Sequence, residues 1–165
     1  MSGPTVSFVL SDLVSDETAA VFAAHASRIR ARLPRVEVRH HGGTSLPGLL
    51  TQGDVDLHVR AARREFEPAR DALGEFYEPL FPGEWDSDVA YFRAPDSQPP
   101  VEVVLTVIAS LDDRYHHDAW QLIAADPALA DRYNALKRRL EGSALDDYKA
   151  AKRDFFRELV ASLGA

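Results

Sequence analysis

Asp54 and Asp56 are separated by one aliphatic residue within the run Gln52 to Arg60, where Asp54, Asp56 and His58 alternate with Val55, Leu57 and Val59. In a β conformation, side chains two residues apart share a face, so both carboxylates and the imidazole would lie on one side and the aliphatics on the other. Carboxylates held side by side repel, and a cation, a shared proton or open water makes the arrangement tolerable. Upstream lies the turn-rich segment Gly42-Gly43-Thr44-Ser45-Leu46-Pro47-Gly48. Gly42 and Gly43 allow a tight strand-to-helix turn and close approach of backbone N–H groups to an oxyanion. Thr44 and Ser45 offer hydroxyl donors at the expected start of a short helix from about Leu46 to Leu50, where Pro47 suits the first turn. A phosphate at this turn, with Mg²⁺ on the neighbouring carboxylates, would have its charge countered from two sides, as phosphoryl and nucleotidyl transfer requires. The alternative is an ordinary amphipathic edge strand with solvated carboxylates, and the preceding glycine turn weighs against it.

Gly42-Gly43 followed by Asp54-Val55-Asp56-Leu57 resembles the signature of the DNA polymerase β nucleotidyltransferase superfamily, a Gly-Gly/Ser turn and then an acid-x-acid strand. Within that superfamily, His40-x-Gly42-Gly43-Thr44-Ser45-Leu46-Pro47-Gly48-Leu49 is similar to the GrpB family. So are Asp126-Pro127, Tyr133-x-x-Leu136-Lys137 and Tyr148-x-x-Ala151-Lys152-x-Asp154-Phe155, which extends the resemblance from about Val38 to about Leu159. Many GrpB proteins have Ser at the place of Gly43 and keep only the second acid, whereas this chain has both. Members often carry alternating His where this chain has Val104 and Thr106, so a role for those His does not carry over. The superfamily resemblance implies a third acid on a strand beside the acid-x-acid strand. Glu102, in Val101-Glu102-Val103, has the right apolar-acid-apolar form, and a carboxylate near the start of so apolar a strand needs a partner. A solvent-facing residue on an edge strand is the other reading. Arg93 is a candidate for a phosphate, or for pairing with Glu102 or Asp54.

The elements that must position these groups follow from periodicity and punctuation. Thr5 to Leu10 reads as an edge strand or extended arm, and Glu17 to Leu33 as a helix with Phe22, Ala26, Ile29 and Leu33 on one stripe, stopped by Pro34. Arg35 to His41 and Gln52 to Arg60 are the first two central strands. A helix over Arg63 to Phe76 and a Pro- and Gly-broken loop over Glu78 to Gly83 come next. Strands over Asp88 to Arg93 and Val101 to Ile108 follow, the second strongly β-branched. From Asp112 the chain reads as three helices, Tyr115 to Ala125, Ala128 to Glu141 and Leu145 to Leu163, separated by Asp126-Pro127 and Gly142-Ser143. The expectation is an α+β fold: a small mixed sheet flanked by helices, nucleotidyltransferase-like, in one domain over 1–165 with a sheet core of about 5–110 and a helical extension of about 112–163.

Two lysines stand out in the extension. Tyr148, Lys152, Phe155 and Leu159 share a helix face, which puts Lys152 within an apolar stripe, and Lys137 lies one turn after Tyr133. An inward lysine either snorkels to the rim or reaches an anionic ligand, and the family resemblance favours the ligand for Lys137, Tyr148 and Lys152. His116-His117-Asp118 does not read as a metal site, because adjacent helical residues point about 100° apart.

With 165 residues and a hydrophobic content of 45%, the chain has enough material for one domain with a proper core. A net charge of −7 argues against a sequence-independent grip on nucleic acid or on an anionic membrane. The absence of Cys excludes disulfides, thiolate metal sites and a Cys nucleophile, and the N-terminus lacks a signal-peptide pattern, both in keeping with a cytoplasmic protein. The leading functional expectation is a nucleotidyltransferase in which Asp54, Asp56 and Glu102 hold one or two Mg²⁺ or Mn²⁺. The turn from Gly42 to Ser45 would cradle the phosphates of a nucleoside triphosphate, and the hydroxyl of a small-molecule or small-protein acceptor would attack the α-phosphate. The alternatives are a non-catalytic nucleotide or phosphometabolite binding module and an ATP-dependent ligase on the same scaffold.

Overall fold

The computed structural model describes residues 3–164. In chain order, β1 (Val9–Leu10) leads through a single 3₁₀ turn into α1 (Ser15–Arg32), followed by β2 (Glu37–His41), β3 (Leu50–Thr51), β4 (Val55–Ala61) and α2 (Arg63–Leu73). Then come β5 (Glu78–Leu80), β6 (Val89–Ala94), β7 (Val101–Val107), and the helices α3 (Leu111–Ala125), α4 (Pro127–Leu140) and α5 (Leu145–Leu163). No helix among the described residues is long and apolar enough to cross a membrane.

The helix ends have local causes. In α1, Asp16 and Glu17 sit in the first turn and Arg30 and Arg32 in the last, each sign placed where the backbone dipole favours it. Ser110 caps α3 by accepting from the Asp113 N–H at 3.1 Å, which starts the helix four residues before the expected Tyr115. Asp126 caps α4 by accepting from the Ala128 N–H at 3.0 Å, with Pro127 at the first position.

The main sheet runs β2-β4-β7-β6-β5, with β4 and β7 parallel and every other pair antiparallel. The apolar face of this sheet, with Leu57, Val59, Val103, Leu105 and Phe92, packs on Ile29 of α1 and on Phe66, Ala69 and Leu73 of α2. Leu57 is fully buried there, and truncation to Ala at such a site costs about 2–5 kcal/mol. The opposite face carries polar side chains and is covered in part by α3. A second apolar cluster, with Trp120, Ile123, Leu129, Tyr133 and Phe156, joins α3, α4 and α5 and takes in Leu49 from the turn region.

Three local expectations are corrected. The segment expected as a helix, Leu46 to Leu50, is turn and irregular as far as Leu49, and Leu50 begins β3. Its backbone groups are taken by distant partners: the Gly48 N–H donates to Asp12 Oδ1 at 2.7 Å, and Asn134 of α4 donates to Gly48 O and accepts from the Leu50 N–H. Gly48 itself adopts φ +81°, which a helix excludes. The second central strand begins at Val55 rather than Gln52, because Gly53 at φ +96° turns the backbone, which leaves Asp54 just ahead of β4; β3 before it pairs with β1 in a separate two-stranded sheet. Glu78 to Leu80, expected as loop, is an edge strand on β6, a position that tolerates Pro79.

The N-terminal segment is an arm. Leu145 N–H donates to Pro4 O, Val6 N–H to Ser143 O and Gly142 N–H to Val6 O, so it crosses the α4–α5 connection before β1 pairs with β3. The turn region is thereby tied both to the sheet and to the C-terminal helices.

Candidate functional site

Strand register builds the site. His41 on β2 lies opposite Asp56 on β4, Asp56 opposite Glu102 on β7, Glu102 opposite Arg93 on β6, and Arg93 opposite Glu78 on β5. Register partners point to the same face, so one transverse row carries all five side chains. Asp54, placed just before β4, completes an acidic group: one oxygen from each of Asp54, Asp56 and Glu102 lies within 4.8 Å of the other two.

Electrostatics in the group are only partly relieved: burial and Asp54 outweigh the downward pull of Lys152 and Lys137 on Asp56, and that of Lys152, Lys149 and Arg93 on Glu102. Burial, then the neighbouring Asp54 charge, holds the Asp56 carboxyl well above the ordinary carboxylate value. Glu102 is exposed as a residue, yet its carboxyl is flanked by protein, and burial followed by repulsion from Asp54 raises it too. Among the described residues, no arginine or lysine forms an ion pair with these three acids. Arg93, on the same row, turns to Glu78 at 3.4 Å instead.

The cations that face the group come from the C-terminal helices. Lys152 of α5 lines a cavity of about 130 Å³ together with Asp56, Glu102, Gly42 and His41. The Tyr133 phenol raises the Lys152 pKa most; burial opposes, and Tyr148, Asp56 and Asp54 add to the rise. Lys137 of α4 is buried over the Tyr133 ring, 4.1 Å from its centroid, and donates to Leu50 O. Burial and then the Lys152 charge lower its pKa to about 7. Tyr148 is buried, packed edge-on to Phe8 at 5.1 Å.

The turn from Gly42 to Ser45 is held by its own hydroxyls. Thr44 Oγ1 donates to Asp54 O at 2.9 Å, so its contact with His40 Nε2, also 2.9 Å, must be a bond that it accepts. Ser45 Oγ donates to Gly42 O at 2.6 Å. Gly42, at φ +82°, comes so close to the acids that a Cβ built on it would lie 2.1 Å from Asp56 Oδ2. Gly43 is confined from the other side, since its Cβ would lie 2.9 Å from Thr51 Oγ1 and 3.2 Å from Leu50 O. Gly42 is thus required by its approach to Asp56 and Gly43 is confined by β3, before any ligand is considered.

Sequence reasoning missed the wall of the cavity. Tyr91, Tyr115, His116, Trp120 and Phe156 line it, and the rings of His41, His58 and His116 lie 5.4–5.7 Å apart, centre to centre. All three imidazoles are held neutral, chiefly by burial, with His116 down at about 4. His58 Nε2 donates to Thr106 Oγ1 at 2.8 Å, because Thr106 spends its proton on Asp113 Oδ1. His41 Nδ1 is buried without a hydrogen-bond partner. The alternation that places His58 beside Asp56 was a sequence signal for one of the three; His116, on α3, gives none.

Comparison with known proteins places the chain. The sequence model described as GrpB protein matches residues 14–162. The chain belongs to the GrpB family. A crystal structure of the conserved protein GrpB from Enterococcus faecalis shares 19% identity at a TM-score of 0.68, covering 90% of this chain and 95% of that one. Cid1, in a structure concerned with its RNA terminal uridylyl transferase activity, shares 14% identity at a TM-score of 0.55 over 78% of this chain. A cytoplasmic RNA terminal U-transferase shares 15% identity at a TM-score of 0.52, again over 78%. This GrpB chain spans only 40% and 39% of those two longer proteins. These likenesses establish a nucleotidyltransferase-like fold. No curated protein sequence matches the chain.

Proposed function

We propose that the protein is a divalent-metal-dependent nucleotidyltransferase that takes a nucleoside triphosphate as donor and a small molecule as acceptor. The observation that carries this reading is the convergence of Asp54, Asp56 and Glu102, with oxygens within 4.8 Å of one another and, among the described residues, no ion pair to a cationic side chain. The donor set suits the metal: three hard carboxylate oxygens match Mg²⁺ or Mn²⁺, and the raised Asp56 and Glu102 carboxyls are what a countercharge would relieve. When bound, the metal would neutralise phosphate charge and assist departure of pyrophosphate.

The remaining work falls to the chain. Lys152, cationic and facing the cavity, is the candidate for a phosphate oxygen. Gly42 keeps the backbone against Asp56, leaving room at the acids that any side chain would fill. Lys137 and Asn134 fasten the turn through Leu50 O, Leu50 N–H and Gly48 O, so that α4 sets the height of Gly42 over the sheet. Arg93 stands one strand beyond Glu102 and can leave the exposed pair with Glu78 at little cost for a phosphate. Transfer would form a bond from the acceptor oxygen to the α-phosphorus and break the bond to the bridging oxygen of the pyrophosphate, the acceptor's hydroxyl proton passing to solvent.

The test is a screen of the four nucleoside triphosphates with Mg²⁺ or Mn²⁺ against metabolite pools, following pyrophosphate release. Release that needs metal, nucleotide and pool together, and that Asp56→Asn abolishes, supports the reading. Metal-dependent nucleotide binding with no release from any pool would instead assign the chain to the binding modules.

A further inference from the structure

The cavity at the acids is small. At about 130 Å³ it falls below the roughly 300 Å³ at which ordinary ligand pockets begin, so it cannot hold a triphosphate end and an acceptor together. A second cavity, of about 360 Å³, lies on the far side of His41 between α1, β2, the glycine turn and α3. The two are adjacent and share His41, His116 and Trp120 in their walls.

The second cavity has a different chemistry. Arg30, Arg39, His40 and His117 line it, and none of its lining residues is acidic. Phe22 and Trp120 give it aromatic surfaces, with Phe22 stacked on His40 at 4.9 Å and 13°. Arg30 uses one nitrogen on Val38 O at 2.9 Å, and Arg39 shares Glu37 with Arg60, so the wall keeps an excess of donors and of positive charge. Burial lowers the His117 pKa most, Arg60 and Arg39 lower it further, and Asp113 and Asp118 oppose them.

We infer that this second cavity is the acceptor subsite, and that it takes a planar, carboxylate-bearing small molecule whose carboxylate faces Arg39 and His117 while its ring lies between Phe22 and Trp120. This assignment rests on the transferase reading for the word acceptor, while the binding event itself needs neither metal nor nucleotide. A guanidinium beside a desolvated carboxylate supplies a charge-assisted bond, and an aromatic wall favours a ring over a flexible chain.

The chain has two tryptophans, Trp120 in this wall and Trp85 packed on Phe92 at the far edge of the sheet, so the two indole N–H signals in a ¹H–¹⁵N spectrum provide a reporter and a control. Metal-free protein is titrated with 4-hydroxybenzoate, and separately with its neutral isostere 4-hydroxybenzamide. The expected result is a saturable shift of the Trp120 signal with Trp85 unmoved, the benzoate binding at least about ten-fold tighter than the amide, and Arg39→Gln removing most of that preference. Equal binding of the two probes, equal movement of both indoles, or no movement of Trp120 at millimolar probe overturns the assignment. So does a preference that Arg39→Gln leaves unchanged, which would put the probe in the cavity at the acids that Trp120 also lines. Loss of the transferase reading, by contrast, would appear in the pyrophosphate screen and leave this titration as it stands.

Discussion

Two polar stretches lie on the same face of the same sheet, the rows Asp56–Glu102 and Arg60–Thr106, and they treat their charges in opposite ways. At one, Arg60 on β4 donates to both oxygens of Asp113 at 2.7 and 2.8 Å and to Glu37 at 2.7 Å, while Thr106 and the Ala109 N–H complete the Asp113 carboxylate. Burial alone would raise Asp113, but the Arg60 bond, the Ala109 N–H and Thr106 outweigh it and hold the carboxyl below its ordinary value. At the other, Asp54, Asp56 and Glu102 crowd one another, and Asp56 is pushed well above its ordinary value. Charges that are fully paired fasten α3 to the sheet. Charges left unpaired are a standing demand for a cation, and this difference separates structure from site more clearly than residue type does.

Breaking the paired stretch should have the largest effect. Asp113→Ala leaves Arg60 with Glu37 alone and removes the acceptor for Thr106 and for the Ala109 N–H, and loss of one partner of such a buried pair costs about 3–5 kcal/mol. Denaturant unfolding should show that loss with little change in any residual metal affinity of the folded fraction. At the unpaired stretch, Lys152→Met keeps the stem and removes the charge. Nucleotide affinity by calorimetry should fall about ten- to a hundred-fold, the equivalent of a charge-assisted bond worth roughly 1.5–3 kcal/mol, while the melting temperature holds. Unchanged affinity would remove Lys152 from the site.

The smallest effect is a pH dependence of opposite sign in two groups. For Asp56 the folded value is raised, so the folded state binds more protons, and metal-free stability should decline as pH climbs from the ordinary carboxylate value toward the folded one. For His116 the folded value is near 4 against 6.5, so the unfolded state binds more protons, and stability should fall as pH drops from 6.5 toward 4. Thermal melts across that range with and without Mg²⁺ separate the two, because metal should restore stability only on the alkaline side.

How far the sequence could be read follows the same division. The Asp54-x-Asp56 spacing, the strand over Val101–Val107 and the helix Leu145–Leu163 were all legible, because period and punctuation act locally. The short helix after Pro47 was not. Pro47 and the turn residues satisfy the local rules for a helix start, but Asp12 and Asn134, distant in sequence, take the backbone groups such a helix would use. His116 shows the same limit at the site. Its neighbours are His41 and His58 on two strands, brought there only by the packing of α3 on the sheet. The paired network was equally hidden, since Asp113 and Arg60 are 53 residues apart and nothing near either announces the other.

The most direct test of the central claim, that the acidic group is a metal site held under electrostatic strain, is the melting temperature of the parent and of Asp56→Asn, each with and without Mg²⁺ plus a nucleoside triphosphate. Removing a carboxyl that is buried against like charges should leave the metal-free variant as stable as the parent or more so. Metal with nucleotide should then raise the melting point of the parent alone, and calorimetry should show the variant's affinity reduced at least about a hundred-fold. A variant that is destabilised without metal and still gains stability from metal and nucleotide as the parent does would contradict the account.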